Sequence, residues 1–385
     1  MPRRGENIRK RTDGRWEGRY IEYYSSNGKA CYRSVYGTTY TDTKEKLKKY
    51  KKLCKRTVSK ITVENLCKEW LESKSLTVKQ STYTNYYSVI NNHIIPYFKN
   101  RKPSSYVKYK NSIEKHIITY FKKVKAIYLT SDLVNEFILE KNYLSEKTLH
   151  DLISLFTQII KYGQSKGHIG YFNFDSVVYP KVTTKELAVL KNTEFIRLVS
   201  YVHITFKIQK IGILLSLFMG IRLGEICALQ WKDVNFTEET IRIEKTMQRI
   251  KNLDKNAVTK TKIVIDKPKS QKSIRDIPIP SFMVDLMKKY KTDKEKYLLT
   301  GTVEFIEPRV YQDMFKTYLN EAEIEDINFH ALRHTFATRA IEQEFDIKSL
   351  SEILGHSSVK FTLERYVHPS EEHKRKNMEK MSVFY

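Results

Sequence analysis

Acidic residues are scarce in this chain of 385 residues: 44 Asp and Glu face 69 Lys and Arg, giving a formal net charge of +25 at pH 7 and a pI near 9.6. An excess of that size suits a large polyanion as partner, with nucleic acid ahead of a membrane surface. Long apolar runs are also missing. The longest candidate, IGILLSLFMGI at 211–221, falls well short of the roughly 20 residues that a membrane span requires and reads as a buried helix. Cysteine is sparse: Cys31, Cys54, Cys67 and Cys227 lie far apart without a CxxC pair. That spacing argues against a zinc site and a disulfide framework, so reduced thiols in cytoplasm are expected. The N-terminal MPRRGENIRKR lacks the apolar core of a secretion signal, and no phosphate-binding P-loop or Mg²⁺-holding carboxylate cluster is visible.

What is present divides into three blocks, as expected for a chain longer than one typical domain. Block 1–56 carries 17 Lys and Arg against 6 Asp and Glu. NIRKR, RWEGRYIEYY and ACYRSVY are predicted as three short strands, separated by the hairpin signals Asp13-Gly14 and Asn27-Gly28. Thr41 and Asp42 offer a cap for a helix through KEKLKKYKKLCKR. Alternation sets Arg15, Glu17, Arg19 and Ile21 on one strand face, and with Arg9, Arg11 and Arg33 they make a basic surface that is either a nucleic-acid face or simply solvated.

Block 60–181 is helical by its 3.6-residue period and contains a duplication: 81–100 matches 104–123 at 10 of 20 positions, with His93 and His116 equivalent. Two copies are too few for a solenoid, and the two histidines, set among apolar residues, are expected in the core. YPKVTTKE at 179–186 reads as a linker, and block 185–385 follows. There helices are predicted at NTEFIRLVSYV, KIGILLSLFMG and RLGEICALQW, then strands over 234–280, then helices to the end, for a mixed, mainly α class.

Single features of the third block have plain structural readings. Arg222 and Glu225, three apart, can form an ion pair. His330 and Arg333 share a helical face, and His330 and His334 have the spacing of a zinc helix without its glutamate, so no metal is expected. Gly355 ends a helix and puts His356 just beyond it, with Tyr366 ten residues on. Together these residues describe a phosphodiester site. Two guanidiniums grip non-bridging oxygens in planar forks, histidines donate or transfer protons, and a tyrosine becomes a usable nucleophile inside the cationic pocket.

In this arrangement the third block resembles the catalytic domain of the tyrosine recombinases, the lambda-integrase family. GIRLGEICALQW resembles the first arginine box (Arg222, Glu225), HALRHTFAT supplies His330 and Arg333, LGHSS supplies His356, and the tyrosine box supplies Tyr366. KPKSQKSIRDIPIP resembles the family's lysine hairpin and points to Lys269, between Lys267 and Lys272, with Ser270 in place of the usual threonine. The first block is similar to the arm-site-binding domain of integrases from conjugative transposons and phages of low-GC bacteria, with RKRTDGRWEGRY the best-matching stretch. The second resembles the helical core-binding domain, from which the duplication departs.

The resemblance implies a multidomain fold: a three-stranded sheet plus helix, a helical core-binding domain and a mixed α/β catalytic domain. It implies cleavage by Tyr366 to a 3′-phosphotyrosyl link, with Arg222, Arg333 and His356 stabilising charge, Lys269 as general acid and His330 as base. No metal, ATP or other cofactor is implied. The expected partners are double-stranded DNA at core and arm sites, three further copies of the chain in a tetramer, and a small excision factor; the expected setting is the bacterial nucleoid. Two other readings are a type IB topoisomerase and a DNA-binding protein without activity. The tail KNMEKMSVFY offers Met378, Met381, Val383 and Phe384 for packing on a neighbouring subunit or on its own domain.

Overall fold

The structure, a computed structural model, describes residues 7–24, 30–54, 61–100, 124–170, 172–183, 188–254, 256–267, 273–356 and 358–366, with 375, 378, 379 and 382 beyond them. The chain forms two compact units, Met1–Thr184 and Lys185–Tyr385.

The first unit begins with the antiparallel sheet β1 (Ile8–Lys10), β2 (Trp16–Tyr24) and β3 (Ala30–Gly37), in that spatial order. The Asp13-Gly14 turn forms, with Gly14 in the left-handed region at φ 81°; Asn27-Gly28 lies outside the described residues. Helix α1 (Tyr40–Cys54) covers one sheet face through Leu47, which is buried with Ile8, Tyr20 and Val35. Its cap is Thr39, not the expected Thr41 or Asp42: Thr39 Oγ1 accepts the Asp42 backbone N–H at 3.1 Å. The turn after β3 is tight enough that the chain becomes helical two residues sooner than the side-chain signal suggested.

A second apolar cluster in this unit gathers α2 (Val63–Ser75), α3 (Gln80–Val89), a wide helical turn Ile90–Ile94, α4 (Ile95–Asn100), α5 (Ser131–Glu140) and α6 (Glu146–Ser165). Trp70, Phe98, Phe137 and Phe156 are fully buried at its centre. His93 is half-buried, and burial presses its pKa down. The duplicated segment 104–123, with His116, lies outside the described residues. Before the division between the units, Thr183 donates its backbone N–H and hydroxyl to Glu146 at 3.1 and 3.0 Å.

The second unit runs α7 (Asn192–Ile204), α8 (Ile211–Met219), α9 (Leu223–Ile226), β4 (Val234–Asn235), β5 (Thr240–Ile243), β6 (Thr246–Lys251), β7 (Thr261–Asp266), β8 (Arg275–Pro278), α10 (Ser281–Tyr290), α11 (Pro308–Glu321), α12 (His330–Glu342), α13 (Ile347–Leu354) and α14 (Val359–Tyr366). Strands β4, β5 and β8 make one antiparallel sheet, and β6–β7 a separate hairpin. Helix α8 is apolar on every side because it is buried on every side, with α12 packed along it. The helix expected through RLGEICALQW lasts only the four residues of α9; the chain then turns so that Leu229 can accept the Leu298 backbone N–H at 2.9 Å. Cys67 and Cys227 are free and buried, and burial raises both thiols to about 12. Among the described residues no helix is long and apolar enough to cross a membrane.

Candidate active site

Three consecutive carbonyls at the C-terminal end of α13 organise the site. Arg275 Nε donates to the Ile353 carbonyl at 2.6 Å, Arg333 to that of Leu354 at 2.6 Å, and Arg222 to that of Gly355 at 3.4 Å. The three side chains come from β8, α12 and the residue preceding α9, so one helix end ties three elements together. Unsatisfied carbonyls and the negative end of the helix dipole make this end a natural seat for cations. Arg333 also donates to Gly220, the left-handed cap of α8, at 2.6 Å, so one guanidinium closes two helices.

Glu225 holds the cluster together electrostatically. Only 4% exposed, its carboxylate accepts from Arg275 at 2.9 and 3.3 Å and from Arg222 at 2.9 Å. It also accepts the Arg222 backbone N–H at 3.1 Å, which turns the chain into α9. Burial works to raise its pKa, but Arg275, then Arg222 and Arg333, win and hold it below 4.5. Arg333 is 1% exposed, and burial followed by the nearby Arg222 lowers it to about 9, leaving it cationic at neutral pH. The Arg222 side chain keeps 33% of its surface exposed, so it is the guanidinium of the three that faces outward.

Gly355, at φ 61°, lets α13 stop here; a Cβ at this position would lie 3.1 Å from an Arg275 nitrogen. Gly355→Ala is expected to cost about 1–3 kcal/mol through left-handed strain and displacement of Arg275. The check is a lower thermal midpoint together with weaker catalysis, since His356 follows directly.

The His356 ring is held at both nitrogens. Nε2 lies 3.0 Å from Arg333 and Nδ1 2.8 Å from Thr362 Oγ1. Arginine only donates, so Nε2 accepts and the neutral ring carries its hydrogen on Nδ1, toward Thr362. Burial, then Arg333 and Arg222, depress this histidine to about 3. Thr362 is fully buried on α14, one turn before Tyr366 and on the same face.

Tyr366, the last residue of α14, is 7% exposed, and its hydroxyl lies 2.9 Å from His334 Nδ1. Its ring is parallel to that of His356 within 3°, at 6.1 Å. Burial raises the phenol pKa despite Arg333, Arg365 and Arg222, so the resting hydroxyl is protonated. His334 is buried, and burial, then Arg365 and Arg333, lower it to about 4; the exposed His330 lies beside it, with ring centroids 4.5 Å apart.

Of the residues expected from sequence, Arg222, Glu225, His330, Arg333, His356 and Tyr366 therefore come together. Lys269 lies outside the described residues, in the 268–272 segment between β7 and β8. Three participants were not anticipated. Arg275 could have been suspected from its place in the SIRDIP strand, and Thr362 from standing four residues before the tyrosine; for His334, weighed only as a metal ligand, spacing offered no sign of its partner. In the N-terminal sheet, Arg11 and Arg15 lie over Tyr36 and Arg19 over Tyr32, at 5.3–5.8 Å from the ring centroids. Arg9 Nε and Ser34 Oγ donate to the buried Glu17 on that face at 2.8 and 2.5 Å. Arg33 is set apart: it pairs opposite Tyr20, on the face that α1 covers, while Arg19 pairs opposite Ser34.

The second unit thus gathers a tyrosine, three arginines and two histidines at the ends of α12, α13 and α14. The Phage integrase family matches residues 189–373, and the Phage integrase N-terminal SAM-like domain matches 62–102. The chain belongs to the tyrosine recombinase (lambda-integrase) family. A XerC-like tyrosine recombinase of Caldanaerobacter subterraneus subsp. tengcongensis is 31% identical over 172 residues, 40% of this chain and 44% of the relative. The chain thus spans less than half the length of that relative. The ICEBs1 integrase of Bacillus subtilis strain 168 is 23% identical over 80% of this chain and 79% of its own length. In fold, the Tn1549 transposon integrase in complex with circular-intermediate DNA matches with a TM-score of 0.61 at 19% identity, over 83% of this chain and 99% of that one.

Proposed function

We propose that the protein is a site-specific DNA recombinase that integrates and excises a mobile element. The observation that carries this reading is Tyr366, its hydroxyl on His334 and its ring parallel to that of His356, which accepts from Arg333 at the helix end where Arg222 also bonds. The tyrosine oxygen forms a bond to the scissile phosphorus while the bond to the 5′ oxygen breaks, leaving a 3′-phosphotyrosyl link and a 5′-hydroxyl. Because the link retains the phosphodiester's energy, no ATP is consumed. Arg222 and Arg333 offset charge on the pentacoordinate phosphorus. His356, whose Nε2 accepts from Arg333, adds to the stabilisation of that charge, the role the resemblance gives it. Lys269 protonates the leaving 5′ oxygen, and His330 is the base that the resemblance offers.

The division into 1–56, 60–181 and 185–385 corresponds to arm-binding, core-binding and catalytic domains. Arg9, Arg11, Arg15 and Arg19, with Tyr32 and Tyr36, form the arm-DNA face, and Arg33 drops out of it. This basic sheet and the likeness to the two integrases above favour an integrase over a topoisomerase. Four copies act on two duplexes at core and arm sites, with a small excision factor setting direction, in a bacterial nucleoid.

The test is a nicked duplex bearing the element's core site. Wild type is expected to give an SDS-resistant protein–DNA adduct and Tyr366→Phe none, while both retain non-covalent binding. An adduct that persists in Tyr366→Phe, or none in wild type, defeats the assignment. Joining of two sites, as opposed to relaxation alone, separates recombinase from topoisomerase.

A further inference from the structure

The reaction needs a group to remove the tyrosine's proton, and the residue in contact with that proton's oxygen is His334. We propose that His334 is the general base of the cleavage step, taking the Tyr366 proton on Nδ1 as the oxygen attacks phosphorus. The assignment rests on the recombinase reading above and moves the role of base from His330 to its neighbour one turn along α12.

Geometry carries it. Nδ1 stands 2.9 Å from the hydroxyl oxygen, within direct transfer distance, and the pair is buried from water on both sides, with His334 8% and Tyr366 7% exposed. A neutral imidazole with its hydrogen on Nε2 leaves Nδ1 free to accept from the phenol. Groups packed on His334 come from two helices: Arg365 and Tyr366 of α14, and Arg333 and His330 of α12. Burial and the Arg365 and Arg333 cations keep His334 weakly basic. A phosphodiester bound among the arginines offsets part of that positive charge and raises the basicity of His334, so proton transfer becomes favourable when substrate arrives. The balance is complete: the Oη–P bond forms, the P–O5′ bond breaks, Nδ1 gains the phenolic proton, and the 5′ oxygen takes one from the general acid. His330, exposed and edge-on to His334 at 4.5 Å, is the next ring outward.

Asparagine keeps an acceptor near the position of Nδ1 but cannot take up the proton. His334→Asn is therefore expected to slow adduct formation roughly 10²–10³-fold with core-site binding retained. The slowing should persist on a duplex whose scissile 5′-bridging oxygen is replaced by sulfur. That substrate needs no acid and should rescue Lys269→Ala, so the two proton-transfer roles separate. Wild type on the sulfur substrate should gain rate with pH through one deprotonation, a dependence absent in His334→Asn. A His334→Asn rate within about threefold of wild type, or its rescue by sulfur, overturns the proposal. Should the variant fail to bind DNA, the wild-type profile decides, and a flat one overturns it. No adduct with wild type would instead remove the recombinase reading, and this assignment with it.

Discussion

Arg333→Met is expected to lower unfolding free energy by about 3–5 kcal/mol and to take adduct formation below detection. The side chain is among the largest that are fully buried, and its three partners lie on two segments: the Gly220 carbonyl on one, the Leu354 carbonyl and His356 Nε2 on the other. Methionine fills much of the volume but leaves two buried carbonyls without a donor, each costing about 1–3 kcal/mol. It also removes the cation opposite the negative end of α13. Arg333→Lys should be intermediate in stability and still severely impaired, because one ammonium cannot reproduce a planar fork that spans two helix ends. Urea midpoints for the two variants, compared with covalent-adduct yields, provide the check. A methionine variant within about 1 kcal/mol of wild type would mean that the helix ends are satisfied by other means.

Glu225→Gln should be nearly as damaging, by about 3–5 kcal/mol, for the opposite reason. It retains hydrogen-bonding capacity but leaves Arg222, Arg275 and Arg333 crowded without the carboxylate that offsets them. Repulsion then opens the site from the Arg222 side, the one with room to move. pH provides a second reading. The carboxyl's folded pKa lies below its ordinary 4.5, so its stabilisation is fully present above that pH and is lost as pH falls through the folded value. The site's histidines begin to act at higher pH. Their folded pKa values, about 4 for His334 and about 3 for His356, lie below an ordinary 6.5, so the unfolded chain binds protons first and stability falls as pH drops below 6.5. Midpoints measured from pH 7 to 5 should therefore fall in wild type and in Glu225→Gln alike, while the further loss below 4.5 should be muted in the variant. Parallel curves down to pH 3 would contradict the assigned role of Glu225.

The site residues that were legible in the sequence share one property, local spacing. His330 and Arg333 are three apart, Arg222 and Glu225 three apart, and Gly355 directly precedes His356, so helix periodicity and one cap glycine placed each pair before any tertiary contact was known. Tyr366 stood out by its order behind them. The same holds for the fold: apolar 211–221 had to be a buried helix, and Asp13-Gly14 had to be a turn. Where expectation failed, neighbours intervened. α9 is cut short by pairing with a distant strand-like segment, and Thr39 captures the start of α1 because the preceding turn is tight.

The sequence by itself thus determined which residues supply cations, imidazoles and the phenol, because those are properties of side chains and short spacings. Only the tertiary structure decided how they are joined. Arg275 reaches Ile353 across 78 residues and Glu225 across 50, and His334 meets Tyr366 across 32. Such contacts arise from how α12, α13, α14 and β8 pack, and no periodicity encodes that packing. The end of α13, where three guanidiniums meet three carbonyls, exists only once the helices are brought together, and so does the buried pocket in which a histidine faces the nucleophile.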